Sequence, residues 1–215
     1  NAVRYGLYAI KSLGRPVIDS IIGERKKGGS YRTLQDFIER TVQRDINKRA
    51  IENLIKAGAC DGLDGNRHQM SIVYTSIVDD VVRRKKTGLE GQMSLFDFVG
   101  EEDKKDYEVH YPNVEEFRKE VLLGFEKEVL GIYLSGHPLE DYLGKMKKNV
   151  TANAADFVRE EESGTIRVTD NMHVVVGGMI AAKTVKYTRN NQAMAFLTVE
   201  DLTGSCLLYT SDAAD

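Results

Sequence analysis

Asn47-Lys48-Arg49-Ala50-Ile51-Glu52-Asn53-Leu54-Ile55-Lys56-Ala57-Gly58 reads as one helix with its start and stop signals in place. An asparagine before the first turn can accept a hydrogen bond from a backbone N–H that has no partner within the helix. Ala50, Ile51, Leu54 and Ile55 recur at three- and four-residue steps, the spacing of a buried stripe. Gly58 can take the left-handed conformation that ends helices. Lys48, Arg49 and Lys56 fall on or beside the polar face. Ala57-Gly58-Ala59-Cys60-Asp61 then completes a hairpin-like unit. Its basic side chains can track a duplex backbone, and a solvated face accounts for the same charges.

Upstream, Thr33 is placed to cap a helix with Asp36 at its third position, and Leu34, Phe37 and Ile38 form its stripe. Lys26-Lys27-Gly28-Gly29-Ser30 reads as a loop. Residues 7–25 read as two short helices around Gly14-Arg15-Pro16, with Leu7, Ile10 and Leu13 on one side and Val17, Ile18, Ile21 and Ile22 on the other. Helix, glycine turn, helix resembles the helix-hairpin-helix of sequence-independent DNA binding. There, backbone N–H groups meet a phosphate and nearby cations, here Lys11 and Arg15, add charge. The place of the motif's second glycine is Pro16, which has no N–H to give. A purely structural hairpin is the other reading.

Downstream, Asn66 with Gln69 forms a further capping box. Met70, Val73, Tyr74, Ile77, Val78, Val81 and Val82 make an amphipathic helix closed by Arg83-Arg84-Lys85-Lys86. Gln92-Met93-Ser94-Leu95-Phe96-Asp97-Phe98 follows, an apolar cluster bounded by Gly88, Gly91 and Gly100. It resembles the peptide by which bacterial polymerases and repair proteins hold the ring-shaped sliding clamp. That resemblance gives Gln92 the pocket rim, Leu95 and Phe96 the apolar pocket, and Met93 a flanking place. The other reading is a loop that buries Leu95 and Phe96 in its own domain. After the acidic Glu101-Glu102-Asp103, Pro112-Asn113 reads as a helix start with Glu116 in the capping-box position. Val114, Phe117, Val121, Leu122, Phe125, Val129 and Leu130 are its expected inward face. Gly136 is the expected left-handed cap, and Pro138 the start of the next helix.

Beyond Gly164 the period changes from helix to strand. Val174–Ile180 with a Gly177-Gly178 bulge, Lys183–Tyr187 and Met194–Val199 read as three strands of a meander. Lys183, Lys186, Tyr187 and Arg189 are candidate contacts to a single strand, with bases stacking on aromatics. Phe196 is a further stacking candidate, with the core as its favoured reading. Cys206 to Asp215 breaks the pattern and resembles translated adapter sequence. That tail is expected to be non-native and to pack poorly.

Residues 1–88 hold 17 Lys/Arg and 10 Asp/Glu, a balance of +7; residues 89–215 hold 13 and 23, a balance of -10. A basic half attracts phosphate, and an acidic linker stays off nucleic acid. The chain opens at Asn1 without Met and runs at once into patterned sequence, so it is expected to be a piece of a longer protein. No apolar run is long enough to cross a bilayer. Cys60 and Cys206 lack metal spacing and fit a reducing cytoplasm. His68, His110, His137 and His173 stand alone, and His137 in its Gly-His-Pro turn is read as structural. Asp79-Asp80 lies in a helix and Glu101–Asp103 on a linker, so no carboxylate cluster for two-metal catalysis is seen.

The stretch Glu126–Leu139 closely resembles a signature of the bacterial replicative DNA polymerase III alpha subunits. So do Arg4-Tyr5-Gly6-Leu7, Ala9-Ile10-Lys11, Asn47-Lys48-Arg49, Leu54–Ala59 and the clamp peptide, in that order, from Arg4 to about Ser205. The resemblance implies an α+β chain, mostly helical and then antiparallel β. Residues 1–30 would end the fingers region. Residues 31–160 would form the helix-hairpin-helix and clamp-binding region, with the peptide at 92–98. Residues 165–205 would begin an oligonucleotide-binding (OB) barrel, and 206–215 would be the tail. It implies a cytoplasmic DNA-directed DNA polymerase whose catalytic aspartates and Mg2+ lie upstream, with no cofactor or metal in this piece. The implied partners are the sliding clamp, double-stranded and single-stranded DNA, and other replicase subunits, with no membrane. A stand-alone nucleic-acid-binding or repair adaptor with the same parts is the alternative.

Overall fold

The computed structural model describes residues 5–42, 46–88, 109–159, 164–187, 189 and 191–211, with the side chains of 85–88, 210 and 211 excepted. The clamp-peptide residues Gln92, Met93, Leu95 and Phe96 and the acidic linker lie outside the described residues. The chain forms two compact units, Asn1–Ser135 and Gly136–Asp215, so that fold is helical first and β afterwards, an α+β chain.

The helical unit holds α1 (Arg15–Gly28), α2 (Leu34–Thr41), α3 (Lys48–Lys56), α4 (Arg67–Gly88) and α5 (Lys119–Leu130). Local signals set three of the five starts. Thr33 Oγ1 accepts from Asp36 N–H at 3.0 Å, and Asn47 Oδ1 accepts from Ala50 N–H at 2.9 Å. Asn66 and Gln69 exchange side chain to backbone bonds of 2.8 and 2.9 Å, a reciprocal capping box. Gly58, at φ 75°, ends α3. Its N–H donates to Ile55 O and Ala59 N–H to Leu54 O, each at 3.0 Å, the paired bonds of a Schellman motif. The stripes of these helices meet in one core built on Ile18, Leu34, Ile38, Ile51, Ile55, Met70 and Val81, each 2% exposed or less. Of the inward set expected for α4, Val82 stays 37% exposed.

Four expectations need correction here. Residues 7–13 hold only a single 3-10 turn, Leu7–Ala9, rather than a helix. The expected loop at Lys26–Gly28 is the last turn of α1, and Gly29 ends it. The Arg40 guanidinium steadies that end: it donates to Glu24 O at 2.7 Å and Gly29 O at 3.0 Å and lies over the Tyr31 ring. The helix expected from Pro112-Asn113 begins only at Lys119. Its buried line is therefore Leu123, Glu126 and Val129, and Val121 is 40% exposed. Gly131, at φ 79°, makes the left-handed cap of α5 in place of Gly136.

Glu116 explains the late start. Its carboxylate accepts from Arg67 N–H at 2.8 Å and His68 N–H at 3.1 Å, so it caps α4 and not its own helix. Residues 109–118 form a strap along the start of α4. Pro112 O takes the Gln69 amide at 2.8 Å, Val114 O takes the Asn66 amide at 3.0 Å, and Phe117 stacks on His68 at 4.2 Å.

The second unit opens with a 3-10 turn, Glu140–Tyr142, then α6 (Leu143–Asn149) and another 3-10 turn, Ala154–Phe157. His137 Nδ1 accepts from Leu139 N–H at 3.2 Å, a turn contact. Three strands follow, β1 (Met179–Tyr187), β2 (Ala193–Glu200) and β3 (Ser205–Ser211), an antiparallel meander in chain order. The strands differ from expectation in two ways. The expected second strand lies within β1, but of the expected first strand only Met179 and Ile180 do, and the irregularity falls between Ile180 and Ala182 and not at Gly177-Gly178. Val175 instead bonds Thr151 through its N–H and its C=O, at 2.8 and 2.9 Å. The third strand comes from the segment assigned to the tail: Val199 pairs Cys206 and Met194 pairs Ser211. Its backbone is laddered, yet Leu207 and Tyr209 are 54% and 67% exposed. Asp201, 5% exposed, ties the β2–β3 turn. It accepts from Thr203 N–H and Oγ1 at 2.7 Å, Gly204 N–H at 3.0 Å and Ala154 N–H at 2.6 Å.

Candidate nucleic-acid interface

Three of the cations expected to meet DNA ride on α3, Lys48 and Arg49 in its first turn and Lys56 in its last. With Lys11, Ser12, Glu52, Asn53, Glu128 and Val129 they line an open hollow of about 650 Å³. Lys11 comes from the segment after the 3-10 turn, and its backbone is held from both sides. Its N–H donates to Val129 O at the end of α5 at 2.8 Å, and its C=O accepts from the buried Asn53 amide at 2.7 Å. Ser12 follows at φ 65°, which turns the chain away. Arg15 does not line the hollow; it starts α1, and its Nε donates to the Tyr8 hydroxyl at 3.4 Å.

The hollow carries acids as well as bases. Lys48 Nζ lies 2.6 Å from Asp79 Oδ1. Lys56 Nζ sits 3.1 Å from Glu52 and 3.0 Å from Glu128. Burial pulls the Lys56 pKa down, but the hydrogen bonds it donates to Glu128 and Glu52 outweigh this and hold the ammonium above its ordinary value.

The sheet separates the other candidates. Strand side chains alternate, so the register Ala182↔Thr198 through Tyr187↔Ala193 puts Lys183 and Tyr187 on one face and Lys186 on the other. Lys186 Nζ lies 5.4 Å from the Phe196 ring centroid, and Phe196 meets Tyr209 edge to face at 5.6 Å. Phe196 is half-buried on this open face, not enclosed as a core residue. Arg189 is exposed in the β1–β2 turn.

A charged cluster that the apolar stripes do not reveal joins the start of α4 to α5 and to the Asp61 turn. Arg67, 8% exposed, grips Asp61 with two bonds of 2.8 and 2.6 Å and reaches Glu126 at 3.4 Å. Glu126, 1% exposed, also accepts from Leu134 N–H, Ser135 N–H and Ser135 Oγ at 2.7, 2.9 and 2.8 Å. Burial pushes the Glu126 carboxyl up, yet the Ser135 and Leu134 donors with Arg67 overcome this and leave it below its ordinary value. The available signal was a glutamate on the apolar line of α5. Cys60 is buried, and burial raises its thiol to about 12. Among the described residues, no group of three His, Cys, Asp or Glu is placed to hold a metal ion, and no helix is long and apolar enough to cross a membrane.

Residues 1–70 match the family model of the helix-hairpin-helix motif. Nearly the whole chain is similar to curated DNA polymerase III alpha subunits. It is 34% identical to that of Borreliella burgdorferi over 205 residues, covering 95% of this chain and 17% of the relative. It is 34% identical to that of Vibrio cholerae over 222 residues, covering 100% and 18%. To that of Escherichia coli K12 it is 30% identical over 213 residues, covering 98% and 18%. The chain thus spans less than a fifth of the length of the relatives it matches, and the family resemblance seen in its separate motifs holds across it.

Proposed function

We propose that this chain is a segment of a replicative DNA polymerase III alpha subunit, and that it keeps the polymerase on its template. The helical unit meets the duplex backbone at the open hollow, through cations of α3 and of the segment before α1. Gln92, Met93, Leu95 and Phe96 dock on the sliding clamp. The sheet, with Lys183, Lys186, Tyr187 and Arg189, begins an OB barrel for single-stranded DNA. Nucleotidyl transfer, its Mg2+ and its aspartates belong to the rest of the protein, which works in the cytoplasm with other replicase subunits. One observation carries this reading: basic residues from two separate segments converge on one open hollow within a stretch that matches the helix-hairpin-helix model.

Clamp contact alone is weak for a short peptide, and simultaneous hold on DNA raises residence through effective concentration. Two measurements test the proposal. Duplex affinity of the chain should fall steeply with added salt, because each neutralised phosphate releases counterions. A clamp pull-down with Leu95→Ala plus Phe96→Ala should lose the clamp; undiminished retention refutes the docking assignment.

A further inference from the structure

The hollow has four cations, but two of them are already answered from within the chain. Lys48 is paired with Asp79, and Lys56 is held between two glutamates. Lys11 and Arg49 are exposed, and among the described residues no carboxylate pairs with either. The Lys48–Asp79 pair is neutral as a unit, and the Lys56, Glu52 and Glu128 group carries one net negative charge. The positive field at the mouth of the hollow therefore comes from Lys11 and Arg49. Both are well placed for a fixed contact. Lys11 is pinned through its own backbone to Val129 and Asn53, and Arg49 stands in the first turn of α3.

We propose that Asp79 and Glu128 stand in for phosphates, keeping Lys48 and Lys56 out of the DNA contact so that Lys11 and Arg49 carry it. This rests on the reading that the helical unit binds the duplex backbone. Transfer of Lys48 to a phosphate would strand the Asp79 carboxylate beside a polyanion, so the exchange gains little. The acids set how many phosphates the site neutralises, which holds duplex affinity at a level that lets the chain slide.

The test is the salt dependence of duplex binding by the whole chain, read by fluorescence anisotropy. Two contacts give a slope of log affinity against log salt of about -1.8. Asp79→Asn frees Lys48 and steepens the slope to about -2.7, with tighter binding at low salt. Lys48→Ala combined with Asp79→Asn removes the neutral pair as a unit and leaves the slope at about -1.8. Lys11→Ala and Arg49→Ala each lower its magnitude by about 0.9. Asp80→Asn is the charge-matched control, since Asp80 pairs with Arg83, which does not line the hollow. The proposal is overturned if Lys48→Ala with Asp79→Asn flattens the slope as much as Arg49→Ala does, or if Asp80→Asn tightens binding as much as Asp79→Asn. A wild-type chain that is folded by circular dichroism and shows no salt-dependent affinity removes the DNA-binding reading itself, and this proposal with it.

Discussion

Arg67 and Glu126 meet at 3.4 Å where α4 begins and α5 passes behind it, and both are more than nine-tenths buried. Two charges taken out of water are costly unless nearly every donor and acceptor is satisfied. Here Asp61 takes the far side of the guanidinium, and Ser135 with Leu134 fills the carboxylate. Arg67→Ala would leave Glu126 buried without a counter-charge. It should cost about 3–5 kcal/mol of stability, measured by urea unfolding. Glu126→Gln keeps an acceptor for the Leu134 and Ser135 donors and should cost less.

The same carboxylate gives a pH dependence. Its folded pKa lies below its ordinary value of 4.5, so its stabilisation is present above that value. It is lost as pH falls through the depressed folded value. Thermal unfolding followed from pH 7 downward should therefore show a drop that begins below about 4.5. In Glu126→Gln the part of that drop due to this group should vanish.

Gly58 sits against this cluster. A Cβ there would lie 2.9 Å from Asp61 Oδ2 and collide with the Arg67 guanidinium, and φ is +75°. Gly58→Ala therefore meets two penalties. The left-handed backbone costs about 1 kcal/mol for a residue with a Cβ, and the Arg67–Asp61 pair must move. A total loss of about 2 kcal/mol or more in chemical denaturation is expected. Gly62→Ala, with open space around its Cβ position, should change stability much less.

Elements whose signals are local are legible in the sequence. The Thr33, Asn47 and Asn66 caps and the Gly58 stop each act within about four residues, so a short window contains both partners. The start of α5 is not legible, because Glu116 bonds to N–H groups 48 and 49 residues away. The first strand is expected to run through Gly177-Gly178 as a bulge, but β1 starts only at Met179. Gly178 is there for another reason: a Cβ would come within 2.7 Å of Glu200 O, so the partner strand's backbone demands the small residue. The basic residues of the hollow were legible as charges on a helix face. Which of them stay unpaired was not, because Asp79 and Glu128 arrive from other helices.

Glu116 supplies a sharp test of that long-range cap. Glu116→Ala removes the acceptor of two first-turn N–H groups of α4. The cost should be about 1 kcal/mol, as for other N-cap losses. Because the strap is held there too, amide exchange at Arg67 and His68 should rise most, ahead of the rest of α4. Equal protection in the variant would show that the strap and not the carboxylate secures the helix start.

Leu95 and Phe96 carry the last prediction, and it separates the two readings their residues allow. A buried Leu and Phe in their own domain would each cost about 2–5 kcal/mol on truncation to Ala. As exposed anchors they contribute nothing to folding, and surface changes usually stay within about 0.5 kcal/mol. The double variant Leu95→Ala plus Phe96→Ala should therefore keep the wild-type unfolding midpoint. Its clamp binding should fall far more, since hot-spot anchors are worth about 2 kcal/mol each and two of them amount to roughly a thousandfold in affinity. Differential scanning fluorimetry beside a clamp-binding titration gives both numbers on one preparation. A lowered midpoint with intact clamp affinity would assign both side chains to the interior and refute the proposed docking.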